Sequence, residues 1–312
     1  MPEPADPTYG YDLERLLTVS APKGPVDFVD FWNASFAEAM QVPLRIERRE
    51  IASPHPGTKL FEVEYDALGG VRIGGWITMP ADGKFTRGVV VGHGYGGRDA
   101  APASEPGPAA VAIYPCARGF NRSARKDIPN ESAGHVLHGI RSRETYVHRG
   151  CAADLWGAAS VLLELFPEIA GRLDYMGGSF GGGIGALALP WDKRFRKAYL
   201  DVPSFGNHPL RVTLPCAGSG EAVRLYYEKH PEVMNVLVYF DAATAARHIN
   251  IPVFVAAALS DPAVPPPGQY AVYNGLAGPK ELYAKRASHC AYPEEARENR
   301  EIWERLDKWF AI

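Results

Sequence analysis

With 312 residues, 46% of them hydrophobic and 22% charged, the chain has the makeup of a soluble globular enzyme, with a length that suits one large α/β domain or two small ones. A formal net charge of −3 and the lack of a long Lys/Arg run remove the electrostatic case for nucleic acid or an anionic membrane as partner. The acidic, Pro-rich start (Met1 to Pro7) has no basic n-region or apolar h-region, and no stretch reaches the ~18 apolar residues of a membrane span, so a cytoplasmic protein is expected.

Residues 25–40 read as an amphipathic helix, with Phe28, Phe31, Trp32, Phe36 and Met40 near i, i+3/i+4 spacing. Three strand-like stretches follow at 44–48, 60–65 and 71–79, and the middle one alternates with period two. After Gly83 the rhythm becomes apolar strand, Gly-rich turn, helix. Strands are expected at 89–91, 109–114, 173–176, 197–200, 253–259 and 281–284. Helices are expected at 151–166, 182–189 and 294–310. Short apolar runs alternating with helices imply a mostly parallel sheet covered on both faces, with antiparallel strands at its N-terminal side. The chain reads as one domain, 1–312, with a helical extension over about 1–42 and irregular loop insertions near 98–138 and 204–239.

Gly177-Gly178-Ser179-Phe180-Gly181 follows directly on the strand at 173–176 and fits G-x-S-x-G, the sharp strand-to-helix turn that exposes a nucleophilic serine. A serine hydroxyl needs a general base, itself oriented by an acid, and in this fold class the order along the chain is Ser, acid, His. Asp261 follows the strand at 253–259, and His289 follows the last strand 28 residues later. Both sit past the carboxyl ends of strands, where open α/β sheets place their sites. Taken alone, Asp261 reads equally as the carboxylate of an Asp-Pro turn, and His289 as a loop histidine. In this order with Ser179 they read as a triad. The oxyanion hole needs two N–H donors: Phe180, the residue after the nucleophile, and Tyr95 in the loop His93-Gly94-Tyr95-Gly96-Gly97. The four cysteines, Cys116, Cys151, Cys216 and Cys290, form no CxxC pair; reduced thiols are expected, and neither a metal nor a cofactor.

The chain resembles the acetyl xylan esterase / cephalosporin C deacetylase family of α/β-hydrolases over nearly its whole length. The resemblance rests on Asp-Phe-x-x-Phe-Trp at 27–32, His-Gly-Tyr at 93–95, Gly-Gly-Ser-x-Gly-Gly-Gly at 177–183 and Asp-Val-Pro at 201–203. It continues through Tyr239-Phe240-Asp241, Asp261 before Pro265-Pro266, Tyr273-Asn274 and the run from Ala277 to Glu281. It implies the α/β-hydrolase fold, Ser179, Asp261 and His289 as triad, the N–H groups of Tyr95 and Phe180 as oxyanion hole, and no metal. The activity implied is removal of acetyl groups from xylo-oligosaccharides and other small esters, in a cytoplasmic homo-oligomer of up to six chains. Three positions depart from the family's polar signatures: Phe120 in place of Gln in Arg-Gly-Gln, Phe180 in place of Gln after the serine, and Cys290 in place of Glu after the histidine. Phe120, Pro203, Phe205 and Cys290 are the candidate pocket residues, and the three replacements imply more apolar surroundings and an altered ester preference. Other specificities on this fold (a broad carboxylesterase, a lactone hydrolase, a peptidase) compete with this reading, as does a non-catalytic binding protein.

Overall fold

The computed structural model describes residues 4–100, 107 and 109–311. Among the described residues, nine strands form one sheet in the order β1-β2-β3-β5-β4-β6-β7-β8-β9. They are β1 (Glu47–Ile51), β2 (Thr58–Ala67), β3 (Val71–Pro80), β4 (Arg87–Gly92), β5 (Ala110–Pro115), β6 (Leu173–Gly178), β7 (Phe195–Asp201), β8 (Val253–Ala258) and β9 (Lys280–Lys285). The pairs β1–β2, β2–β3 and β3–β5 are antiparallel, and every pair from β5 through β4 to β9 is parallel. This is the expected α/β-hydrolase arrangement. Strands β5 and β8, each paired on both sides, are buried along their whole length, which is why they read as continuous apolar runs.

Strand β1 lies three residues later than the reading at 44–48. It is an exposed edge of Glu and Arg that pairs with β2 through Arg49–Glu62, so it carries no apolar alternation to mark its register. The excursion at 204–239 is largely helical, with helices at His208–Arg211, Ser219–Lys229 and Met234–Leu237. The 98–138 stretch contains β5 and a helical turn at Ser132–His135; its residues 101–106 and 108 lie outside the described residues. A further helix, Pro266–Gly275, begins on prolines whose missing N–H groups are ones a first helical turn leaves unbonded anyway.

Several of the motifs that carried the resemblance are staples of the fold. In the helix Phe28–Ala39, fully buried Trp32 donates its indole N–H to the Tyr239 carbonyl at 2.8 Å. Asp27 accepts the Tyr239 hydroxyl at 2.6 Å and an Arg143 N–H at 2.7 Å. Buried Asp241 caps the next helix through Ala243 and Thr244 and also receives the N–H groups of Asn207 and His208. Asn274 ties down the N-terminal segment at the Leu16 and Val19 carbonyls.

Candidate active site

Ser179 stands at the turn from β6 into the helix Phe180–Ala188, with φ 52° and ψ −113°. A positive φ on a non-glycine residue costs on the order of 1–3 kcal/mol and persists only where the surroundings dictate it. Here the Ser179 N–H is held by the Asp201 carbonyl at 2.8 Å, and its carbonyl accepts from Gly183 at 3.0 Å and Ser204 at 3.1 Å. The sequence Phe-Gly-Gly-Gly-Ile-Gly is a poor helix former. It is helical because backbone crosses it closely: a Cβ on Gly181 would lie 2.8 Å from the Gly92 carbonyl carbon, and one on Gly183 2.4 Å from the Ser204 oxygen.

The structure brings the three predicted triad residues together. His289 Nε2 lies 3.0 Å from Ser179 Oγ, and its Nδ1 lies 2.8 Å from Asp261 Oδ2. Asp261 is fully buried. Its Oδ1 accepts the N–H groups of Ala263 and Val264, both at 2.9 Å, and its Oδ2 also accepts from Gln269 Nε2 at 3.0 Å. Gln269 is locked in turn, with its oxygen on the Ala258 N–H and its nitrogen on the Val264 carbonyl. Burial disfavours the charged His289 ring, but the bond to Asp261 and that carboxylate's charge outweigh it and raise its pKa above 6.5.

Phe180 opens its helix, so its N–H is one of the first-turn donors that have no partner within the helix. The loop bearing Tyr95 runs beside the serine, with a Cβ built on Gly94 falling 3.9 Å from Ser179 Cβ. His93 sets that loop. The Ala117 N–H donates to its Nε2 at 2.9 Å, so the proton sits on Nδ1 and is given to the Gly94 carbonyl at 2.7 Å. Burial pushes the His93 pKa down to about 4 and keeps the ring neutral. Behind it, Arg118 and Asp154 make a buried multidentate pair that joins the 116–120 loop to the helix Val147–Leu165.

Of the predicted pocket residues, Phe120 and Phe205 are buried, and Cys290 is exposed beside His289. Pro203 packs on the nucleophile helix, its Cα 3.0 Å from where a Gly182 Cβ would stand. The Tyr95 and Phe180 rings stack at 4.2 Å, with Phe120 at 6.0 Å and Phe205 at 6.3 Å from Tyr95. These surroundings are aromatic without being wholly apolar. Tyr95 Oη lies 3.1 Å from His148 Nε2 and 3.4 Å from His135 Nδ1, and both histidines are fully buried. Gln269, His93, His148 and the Arg118–Asp154 pair were not singled out from the sequence. Only His93 had a local cue, its place in the Gly-rich loop. Among the described residues, no group of three or more His, Cys, Asp or Glu side chains is placed to hold a metal ion, and the buried Cys116, Cys151 and Cys216 are free thiols. No helix among them is long and apolar enough to cross a membrane.

The sequence model of the acetyl xylan esterase family matches residues 11–304. The chain belongs to the acetyl xylan esterase family. Acetyl esterase Axe7A of Xylanibacter ruminicola is 26% identical over 149 residues, 47% of this chain and 34% of that protein, so the match spans about a third of the relative's length. An acetyl xylan esterase from a Paenibacillus species superposes with a TM-score of 0.81 at 25% identity, covering 95% of this chain and 99% of that one. Acetyl xylan esterase 1 from Thermoanaerobacterium gives 0.83 at 20% identity over 95% of this chain and 99% of its own. At 13% identity, an acylaminoacyl peptidase of Pyrococcus horikoshii shares only the fold, with a TM-score of 0.59 over 87% of this chain and 42% of that one.

Proposed function

We propose that this chain is a serine ester hydrolase that removes acetyl groups from small esters, acetylated xylo-oligosaccharides among the candidates, through a covalent acyl-enzyme. The observation that carries this reading is the continuous path Asp261, His289, Ser179, at 2.8 and 3.0 Å, ending on a serine displayed at a strained turn. His289 takes the Ser179 proton as Oγ attacks the ester carbonyl. Asp261 holds Nδ1–H, so that Nε2 is the free base, and it offsets the charge that forms on the ring. The N–H groups of Tyr95 and Phe180 receive the oxyanion. His289 then protonates the departing alcohol. In the second half the same ring activates water, which cleaves the acyl-enzyme and releases the acid.

The alcohol and acyl preference of this chain belong to the same proposal, with Phe120, Pro203, Phe205 and Cys290 as its pocket residues. So do homo-oligomeric assembly and a cytoplasmic setting, both supported by the family resemblance. Wild type and Ser179→Ala, assayed on a panel of esters varying in acyl length and alcohol size, test the reading. Turnover of the acetyl members is expected in wild type and its loss in the variant at unchanged circular dichroism. Ester hydrolysis retained by Ser179→Ala would remove the proposal.

A further inference from the structure

Ser179 is not the only member of the triad on strained backbone. His289 has φ 52°, a left-handed conformation that a histidine keeps only where its surroundings dictate it. Its loop leaves β9 at Lys285 and is pinned at several points. The Lys285 carbonyl accepts the Leu259 N–H at 2.9 Å, and Ser288 donates its N–H to the Ser260 carbonyl at 3.0 Å. From the helix Glu295–Ala311, buried Glu298 accepts the Arg286 N–H at 3.1 Å and the Tyr292 hydroxyl at 2.9 Å.

One further tie crosses the sheet. Lys285 is 6% exposed, and a lysine is rarely buried without a partner. Its ammonium meets Asp201 Oδ1 at 3.3 Å. The pairings Asp201–Ala256 and Ala258–Lys285 put all four side chains on one face of the sheet, with β8 between the two charged residues. Two strand spacings, roughly 10 Å, separate β7 from β9, and the pair can span them because β8 presents small Ala256 and Ala258 on that face. Asp201 also ends β7, where its carbonyl holds the Ser179 N–H at 2.8 Å. A Cβ built on Gly178 would stand 3.7 Å from its carboxylate. One residue thus grips the nucleophile turn through its main chain and the histidine loop through its side chain.

The charges that act on the His289 ring come from three strand ends. Burial opposes the imidazolium; Asp261 after β8 favours it, Asp201 at the end of β7 favours it, and Lys285 at the end of β9 opposes it. On the helix side, the Glu298 carboxylate is taken up by the two donors above, and Arg286 pairs with Glu294. In the loop beside the serine, His93 is neutral.

We propose that Asp201 and Lys285 are a positioning pair for the reaction at Ser179: the pair clamps the histidine loop to the nucleophile turn, and its opposed charges keep the field at the His289 ring near balance. Both residues act through His289 and the turn. This rests on the serine hydrolase reading above and adds two residues to it. Remove either charge alone and the other acts on the ring unopposed.

Single and double variants test it with two readouts. One is the acid limb of kcat/KM on an acetyl ester. The other is the titration of His289 by NMR of its ring C–H signals in a Ser179→Ala background, assigned by their loss in His289→Gln; it needs no turnover. Lys285→Met leaves Asp201 unopposed, so limb and titration should both move up by about 0.3 pH unit or more, the scale of one unit charge acting through a largely aqueous path. Asp201→Asn leaves Lys285 unopposed, and both should move down. The double variant should return close to wild type, and Lys285→Arg, which keeps the charge, should stay there. In the single variants kcat should fall several-fold at unchanged KM, because a positioning pair does not bind the substrate. The position of a limb does not depend on how much of each variant is folded, so a loss of stability does not mask it. Single variants that leave the titration in place, or move it in the same direction, overturn the proposal. So does a double variant that keeps either single shift, or a rise in KM at unchanged kcat. If the NMR shifts are opposed and no ester is turned over, the serine hydrolase reading fails and the charge balance at His289 stands.

Discussion

Replacing Asp261 by Asn would test the role of every hydrogen bond around the acid. Asp261 Oδ1 faces two backbone donors, the N–H groups of Ala263 and Val264 at 2.9 Å, so only the carbonyl oxygen of an asparagine fits there. The new NH2 group must then take the Oδ2 position, facing His289 Nδ1 and Gln269 Nε2. The Gln269 side chain cannot flip to accept from it without giving up its bonds to Ala258 and Val264. The amide therefore donates to His289 Nδ1 and drives the ring proton onto Nε2, which then points at Ser179 Oγ as a donor and cannot receive the serine proton. A histidine in this wrong tautomer costs serine hydrolases about 10⁴ in kcat, or ~5 kcal/mol at the barrier. The assay is kcat on an acetyl ester over a pH series, with near-UV circular dichroism to show that the packing is kept. With the Asp261 charge gone, burial is the largest influence left on His289, ahead of the opposed charges of Asp201 and Lys285, so the residual activity should have its acid limb at lower pH than wild type. A folded variant with more than a tenth of wild-type kcat would show that Asp261 does not set the His289 tautomer.

In wild type, kcat/KM should rise with pH through an apparent pKa above 6.5, because burial opposes the imidazolium, Asp261 outweighs it, and only the neutral ring is a base; a limb below 6.5 would contradict this. Gly183→Ala would place a Cβ 2.4 Å from the Ser204 oxygen and 2.6 Å from the Phe205 ring. It should cost about 3 kcal/mol and lower Tm by several degrees, and an unchanged melting curve would show that the 203–205 segment yields freely. Phe180→Gln removes a buried ring stacked on Tyr95 and buries an amide, with an expected loss of ~2–4 kcal/mol in chemical denaturation. Turnover per folded molecule should stay within about 10-fold, because the proposed oxyanion donor is the main-chain N–H; a loss of about 10² or more at intact fold would contradict that assignment.

The parallel strands were legible because each is a short apolar run between turns, and the serine turn because its glycines admit backbone that no Cβ would allow. Asp261 and His289 were legible through their order and their places after β8 and β9. What surrounds them was not. Gln269 reaches Asp261 from a helix that starts at Pro266, and nothing in Pro-Pro-Pro-Gly-Gln says that the amide turns inward. The edge strand β1 could not be registered because its side chains face water on both sides. The stretch 204–239 read as irregular because prolines and glycines punctuate it, yet Ser219–Lys229 is a helix with Gly220 and Val223 buried.

The proposed chemistry turns on Ser179 as the nucleophile. Intact and peptide mass spectrometry after treatment with a fluorophosphonate tests it most directly. One adduct per chain is expected, on the peptide carrying Ser179, forming in step with loss of esterase activity and absent in His289→Ala. An adduct on another residue, or full inactivation with Ser179 unmodified, would contradict it.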